Sequence, residues 1–200
     1  MFDLVLGTHN QKKLVELRLL LPESHFQLQS LSEIPGAIEV EETGTTFPEN
    51  AALKATEQAK HLGRWVLAED SGLCVDALNG EPGVYSARYA GTHGDDAANN
   101  KKLLAELGET PWENRGAHYR CEICLSDPEG RVQVTANGIC RGRIRTEPSG
   151  EGGFGYDPLF EIVEYHRTFA DLNLSVKRAI SHRSRALREL LPKIMQFVSG

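Results

Sequence analysis

Residues 2–21, FDLVLGTHNQKKLVELRLLL, and the run FQLQSL at 26–31 decide the fold class. Phe2 to Leu6 is short and apolar, as a buried strand is. Gly7-Thr8-His9-Asn10 is a turn composition. Gln11 to Leu21 then places Leu14, Leu17, Leu20 and Leu21 at helical spacing, and Phe26 to Leu31 alternates like a second strand. This is a β-α-β opening, which predicts an α/β fold.

Working outward, Ser32 to Phe47 is a loop, and Pro48 sits in the first turn of a helix running to about His61, with Gly63 ending it. Trp65 to Ala68 is a short strand stopped by Glu69-Asp70-Ser71-Gly72, and Leu73 to Leu78 is a separate extended segment. Asn79 to Thr92 is a Gly- and Pro-rich loop, Asp95 to Leu107 a helix closed by Gly108. His118 to Ser126 and Val132 to Arg145 form a hairpin around Asp127-Pro-Glu-Gly130. Leu159 to Val163 is a strand. Ser175 to about Leu191 is a helix that Pro192, lacking an amide hydrogen, should kink or end. The order predicts a mixed sheet with flanking helices. Residues 1–200 read as one domain without a linker, in which any two lobes should share a cleft.

The chain has 200 residues and a formal charge of -6, which argues against general nucleic-acid coating. The charge is uneven. Glu39, Glu41, Glu42 and Glu49 make an acidic loop, whereas beyond Asn173 six Lys and Arg residues face only Glu189. A divalent cation and a polyphosphate would use both, and two solvated charge runs would look the same. Met1-Phe2-Asp3 lacks a signal-peptide pattern and no apolar run approaches a membrane span, so the expectation is a cytoplasmic protein with no membrane partner. The four cysteines suggest no disulfide framework. Cys121 and Cys124 lie three apart in a strand-like run, so they face opposite sides and read as small buried hydrophobes, not a zinc or redox pair.

Several clusters carry chemistry. Thr8-His9-Asn10-Gln11-Lys12-Lys13 puts a hydroxyl, two amides and two ammonium groups where a strand gives way to a helix, whose first amides attract anions. An ordinary capped helix would have the same residues. Glu69-Asp70 ends an apolar strand, where carboxylates are costly unless exposed, paired or bound to metal. Only one of the pair can face a site, and a turn with a capping Asp is an equal alternative. Oxygen ligands there suit Mg²⁺, and such a carboxylate can orient or deprotonate water. Glu41 can complete that metal site, and Lys54 lies on the helix that begins at Pro48. Gly150, Gly152 and Gly155 spell G-x-G-x-x-G, but Tyr156-Asp157-Pro158 continues extended, which removes the dinucleotide-binding reading. Phe154 and Tyr156 instead offer flat faces for a base, and Asp157 can accept from a purine edge, while a tight turn with buried aromatics is an equal alternative. Lys177, Ser181, His182 and Arg183 follow; Arg and His donate to a carbonyl oxygen, favouring a 6-oxo purine over adenine, and a helix cap followed by surface charge is the alternative.

Seven short motifs in this order resemble the inosine triphosphate pyrophosphatase family: residues 8–13, Glu41-Glu-Thr-Gly44, Glu49-Asn-Ala51 with Lys54, Glu69-Asp-Ser-Gly72, Pro82 to Arg88, Gly152 to Pro158, and Lys177 with Ser181-His-Arg183. The resemblance implies an elongated α/β homodimer, with two lobes around a central nucleotide cleft. It implies Mg²⁺-dependent hydrolysis of the purine nucleoside triphosphates ITP, dITP and XTP to monophosphate and pyrophosphate. It makes Asp70 the catalytic carboxylate and a metal ligand, and Glu41 the second acidic ligand. It assigns the triphosphate to Thr8, Asn10 and Lys13 of the 8–13 turn, which also holds His9, Gln11 and Lys12, and to Lys54, with Ser71 nearby. Phe154, beside Gly155 and Tyr156, would stack on the base, while Asp157, Lys177, His182 and Arg183 would fix and read the nucleotide. The family usually has glycine where this chain has His9, a side chain that can crowd the turn or force its backbone angle. Two other readings stand beside this one: a purine-nucleotide-binding regulator with weakened catalysis, and, on the glycine pattern alone, a dinucleotide-dependent oxidoreductase.

Overall fold

The computed structural model describes residues 1–22 and 24–198. Its elements are β1 (Phe2–Leu6), α1 (Gln11–Leu20), β2 (Phe26–Ser30), α2 (Phe47–Leu62), β3 (Val66–Val75), α3 (Asp96–Leu107), β4 (Gly116–Ser126), β5 (Val132–Ile144), β6 (Phe160–Ile162), β7 (Arg167–Thr168), α4 (Leu174–Ile180) and α5 (His182–Val198). Seven strands form one sheet in the order β2-β1-β3-β4-β5-β6-β7. β1 pairs in parallel with β2, Phe2 opposite Phe26, and with β3, Val5 opposite Val66. β5, β6 and β7 pair antiparallel. The protein is therefore a mixed α/β fold, and its β-α-β opening lies where the sequence puts it.

Local chemistry explains the helix boundaries. The Asn10 side chain caps α1 by accepting from the amides of Lys12 and Lys13. Thr46 and Glu49 form a capping box at the start of α2, Pro48 occupies its first turn, and Gly63, at φ 62°, closes it.

Three expectations need correction. β3 does not stop at Ala68; it runs through Glu69 and Asp70 to Val75, because both carboxylates find cationic partners. The last helical stretch is two helices broken at Ser181, whose ψ of 157° is extended. Pro192 lies inside α5 without ending it. The buried side of α5, Ala186, Leu187, Leu190 and Ile194, holds the helix in place beyond the amide that Pro192 lacks.

The chain folds into two compact units. Unit 1 comprises residues 1–70, 121–138 and 183–200; unit 2 comprises 71–120 and 139–182. The main core of unit 1 gathers Leu4, Leu6, Leu17, Phe26, Ile123 and Leu190. That of unit 2 gathers Leu73, Leu103, Tyr119, Phe160 and Phe169. Cys121 belongs to the main unit 1 core and Cys124 to a separate cluster with Ala51, Ala55 and Ala68, as opposite faces of one strand require. All four cysteines are free and buried. Among the described residues no helix is long and apolar enough to cross a membrane.

Candidate functional site

In unit 1 the turn after β1 approaches β3 closely. The Gly7 amide donates to the Leu67 carbonyl at 2.8 Å, and a Cβ on Gly7 would lie 2.9 Å from that of Ala68. Thr8 Oγ1 accepts from the Asn10 amide at 3.2 Å, which presents the start of α1. His9, Asn10, Gln11 and Lys12 are exposed, and Lys13 is half-buried. Among described non-glycine residues only Asn79 and His166 have positive φ, so His9 forces no left-handed backbone on the turn.

Helix α2 supplies the next layer. Asn50 and Lys54, four residues apart, share one helix face. Asn50 Nδ2 donates to Asp70 Oδ2 at 3.2 Å and Lys54 Nζ to Asp70 Oδ1 at 3.0 Å. The same ammonium reaches Glu42 Oε1 at 2.9 Å. Burial pushes the Asp70 carboxyl above its ordinary value against the pull of Lys54, with Glu42 adding repulsion. Burial works against the Lys54 charge, yet Asp70 and Glu42 together hold its pKa above the ordinary value. Glu41, the acid the sequence points to, is exposed; the next residue, Glu42, is the one paired to Lys54.

Glu69 points elsewhere within unit 1. It takes Arg183 Nε at 2.6 Å and Nη2 at 2.8 Å, Lys13 Nζ at 3.2 Å and the Cys121 thiol at 3.4 Å. Arg183 Nη1 also pairs with Glu16 on α1. The sequence reading gives Arg183 to a purine carbonyl, whereas here all three guanidinium nitrogens bind carboxylates. A guanidinium that is 1% exposed requires that compensation. Both acids keep it protonated despite burial, and burial with the nearby Glu69 charge keeps Cys121 a thiol.

Unit 2 holds the glycine-rich segment. Gly153 and Gly155 have φ of 74° and 62°, which side-chain-bearing residues rarely adopt. The peptide groups of Gly155 are held by α3: its amide donates to Asp96 Oδ2 at 2.8 Å and its carbonyl accepts from Asn100 Nδ2 at 2.9 Å. Phe154 is half-buried, and Lys177 Nζ lies 4.9 Å from its ring centroid. Lys177 pairs with Asp157 Oδ2 at 2.6 Å. Asp157 also accepts from the Phe154 amide at 2.9 Å and the Tyr119 hydroxyl at 3.4 Å. Tyr119 stacks on His182 at 4.7 Å. Ser71, half-buried, opens this unit on β3.

Two roles expected in this segment differ from the structure. Tyr156 is no open wall: it is buried, its hydroxyl donating to the Ser86 carbonyl at 2.8 Å. Asp157 is committed to Lys177, Tyr119 and the backbone, so the carboxylate orders the segment that carries Phe154.

The structure thus assembles Asp70 with Lys54 in one group, Lys13 with Arg183 through Glu69 in a second, and Phe154, Asp157, Lys177 and His182 in a third. Sequence reasoning did not single out Glu16, Asp96 and Asn100, and it quoted Glu42 and Asn50 within motifs without giving either a role of its own. The capping box at Thr46 and Glu49 fixes the phase of α2, so the spacing of Asn50 and Lys54 was the available signal for Asn50.

Comparison with known proteins extends over nearly the whole chain. The Ham1 family model matches residues 4–193. A "dITP/XTP pyrophosphatase" of Rhodopirellula baltica is 68% identical over 100% of this chain and 96% of that protein. One of Desulforamulus reducens is 52% identical, covering 94% of this chain and 93% of its own length. Among solved structures, a HAM1 protein from Coxiella burnetii matches 98% of this chain and 100% of its own, with a TM-score of 0.89 and 39% identity. The Mycobacterium abscessus structure titled nucleoside-triphosphatase and dITP/XTP pyrophosphatase matches 96% of this chain and 100% of its own, with a TM-score of 0.78 and 46% identity. The family resemblance read from the seven motifs is thereby borne out, and this chain belongs to the Ham1 family.

Proposed function

We propose that this chain hydrolyses the non-canonical purine nucleoside triphosphates dITP, ITP and XTP to monophosphate and pyrophosphate, clearing them from the nucleotide pool. The names of its full-length relatives support this reading. The observation that carries it in this chain is Asp70, buried on β3 with both carboxylate oxygens held, one by Asn50 and one by Lys54. Lys13, Lys54 and the exposed start of α1 are suited to a triphosphate. Phe154, its ring still partly open, is suited to stack on a base, while Lys177 and Asp157 fix its loop.

In the proposed reaction, water attacks the α-phosphorus. A phosphorus–oxygen bond to the water forms, the bridging bond to the β-phosphate breaks, and pyrophosphate leaves. Asp70 orients the water and takes its proton, while the lysines neutralise phosphate charge.

Mg²⁺ fits these residues. One ammonium already draws Glu42 and Asp70 together, so their oxygens converge on a cation, and Mg²⁺ is usually held by one or two carboxylates with substrate phosphates. Asp70 with Glu42 or Glu41 would hold the ion, which would supply charge neutralisation on the phosphates. A cytoplasmic homodimer is part of the same proposal.

Pyrophosphate release from ITP, XTP, GTP and ATP, with and without Mg²⁺, tests the reading. ITP and XTP should turn over in preference to GTP and ATP, only with the metal, and Asp70→Asn should remove the activity from a folded protein. Undiminished turnover by Asp70→Asn overturns the assignment.

A further inference from the structure

Asn50 has no solvent exposure and sits within α2, a place where a buried polar side chain is costly unless both its ends are paired. Both are. Its Oδ1 accepts from the Gly44 amide at 2.8 Å and its Nδ2 donates to Asp70 Oδ2 at 3.2 Å. The orientation of this amide is forced. A backbone N–H only donates, so the oxygen must face Gly44 and the NH₂ must face Asp70. Gly44 is shaped for that approach, since a Cβ there would fall 2.6 Å from Asn50 Oδ1 and 2.7 Å from Glu49 Cβ.

We propose that Asn50 is a positioning residue for the hydrolysis, locking the orientation of Asp70 and tying the acidic loop at Gly44 to it. The proposal rests on the pyrophosphohydrolase reading. Two residues of one helix face bracket Asp70, and each also holds a residue of that loop: Lys54 takes Glu42, and Asn50 takes Gly44. They differ in what a nucleotide does to them. A triphosphate attracts the Lys54 ammonium away from Asp70 Oδ1, whereas a neutral buried amide has no such competitor. Asn50 is then the bracket that persists while Asp70 works, and it keeps Oδ2 as an acceptor of its N–H. Misplacement of a reacting group by about 1 Å costs about 100-fold in rate, so an arm of this kind acts on turnover rather than on nucleotide affinity.

The test is steady-state pyrophosphate release from ITP by wild type, Asn50→Asp and Gly44→Ala, with folding checked by circular dichroism. Asn50→Asp keeps the shape and the Gly44 bond, and sets a carboxylate against Asp70 in place of the donor. Gly44→Ala keeps the amide and displaces it. Both should lower kcat about 100-fold while KM for ITP stays within about threefold. A merely structural role would lower the melting temperature and leave kcat of the folded protein at the wild-type value, which overturns the proposal. So does a rise in KM at unchanged kcat. If Asn50→Asp does not fold, Gly44→Ala decides by the same criteria. A wild type that releases no pyrophosphate from ITP overturns the functional reading and this assignment together; an active wild type with fully active variants overturns only the assignment.

Discussion

In unit 1 the buried guanidinium of Arg183 is met by two carboxylates, and one of these, Glu69, also binds Lys13. In unit 2 the buried ammonium of Lys177 is met by the Asp157 carboxylate and by the faces of Phe154 and Phe169. The first group compensates charge chiefly with charge, the Cys121 thiol adding a neutral donor to Glu69. The second shares the work with neutral partners, because Asp157 also receives the Tyr119 hydroxyl and the Phe154 amide. The difference matters when a member is lost. An ion matched chiefly by other ions is left short of compensation, whereas an ion with several neutral donors retains more of its solvation. It also suits the two proposed tasks: a lattice of fixed charges for a triphosphate, and an apolar surface with a single steering pair for a base.

Glu69→Leu should give the largest effect. It removes the carboxylate that binds two of the three guanidinium nitrogens of Arg183 and a partner of Lys13. Losing one partner of a buried pair costs about 3–5 kcal/mol, measurable as a shift in the urea midpoint. A loss smaller than that caused by breaking the unit 2 pair would break the comparison.

Lys177→Met tests the other side. The substitution keeps an unbranched apolar stem near Phe154 and Phe169, and Asp157 retains the Tyr119 hydroxyl and the Phe154 amide as neutral donors. The expected destabilisation is about 2 kcal/mol, in the range of a hydrogen bond to a charged group. Because the pair fixes the loop that carries Phe154, KM for ITP should rise about tenfold with kcat changed little. Parallel loss of kcat would place Lys177 with the reacting groups instead.

Why the two groups were unequally legible follows from the reach of their contacts. The β-α-β opening and α2 were readable because period, Pro48, Gly63 and the Thr46–Glu49 box are local. Asp70 and Lys54 were nameable as chemistry, and so was Phe154. The course of β3 was not, because Glu69 is made tolerable in a strand chiefly by Arg183, 114 residues away, with Lys13 on α1 adding to it. No local window contains that partner, so the pair of acids looked like a stop. Tyr156 misled for the same reason: the acceptor of its hydroxyl lies 70 residues away, and its ring is buried rather than offered. Glu41 and Glu42 differ by one position, and only the conformation of their loop decides which meets Lys54. Arg183 read as a ligand donor because its two carboxylates, on α1 and β3, cannot be seen from its own helix.

The smallest expected effect separates burial from mere charge count. Arg18 and Glu33 also form a close ion pair in unit 1, at 2.8 Å to each carboxylate oxygen, but both are about half exposed. The Ser30 amide, then Arg18 and the Ser30 hydroxyl, lower the Glu33 pKa from 4.5 to about 2. A carboxyl whose folded value lies below its unfolded one stabilises the fold once it ionises in both states. That contribution is complete above the unfolded value and is lost as pH falls through the folded one. Glu33→Gln should therefore lower the melting temperature slightly at neutral pH, by a gap that is constant above about pH 5 and closes toward about pH 2. High salt should narrow it as well, because solvent and ions screen an exposed pair. The corresponding gap for Glu69→Leu should persist in salt, since the Arg183 pair lies where ions do not reach. Equal salt sensitivity in the two variants would mean that the number of charges, rather than their burial, sets the behaviour of unit 1.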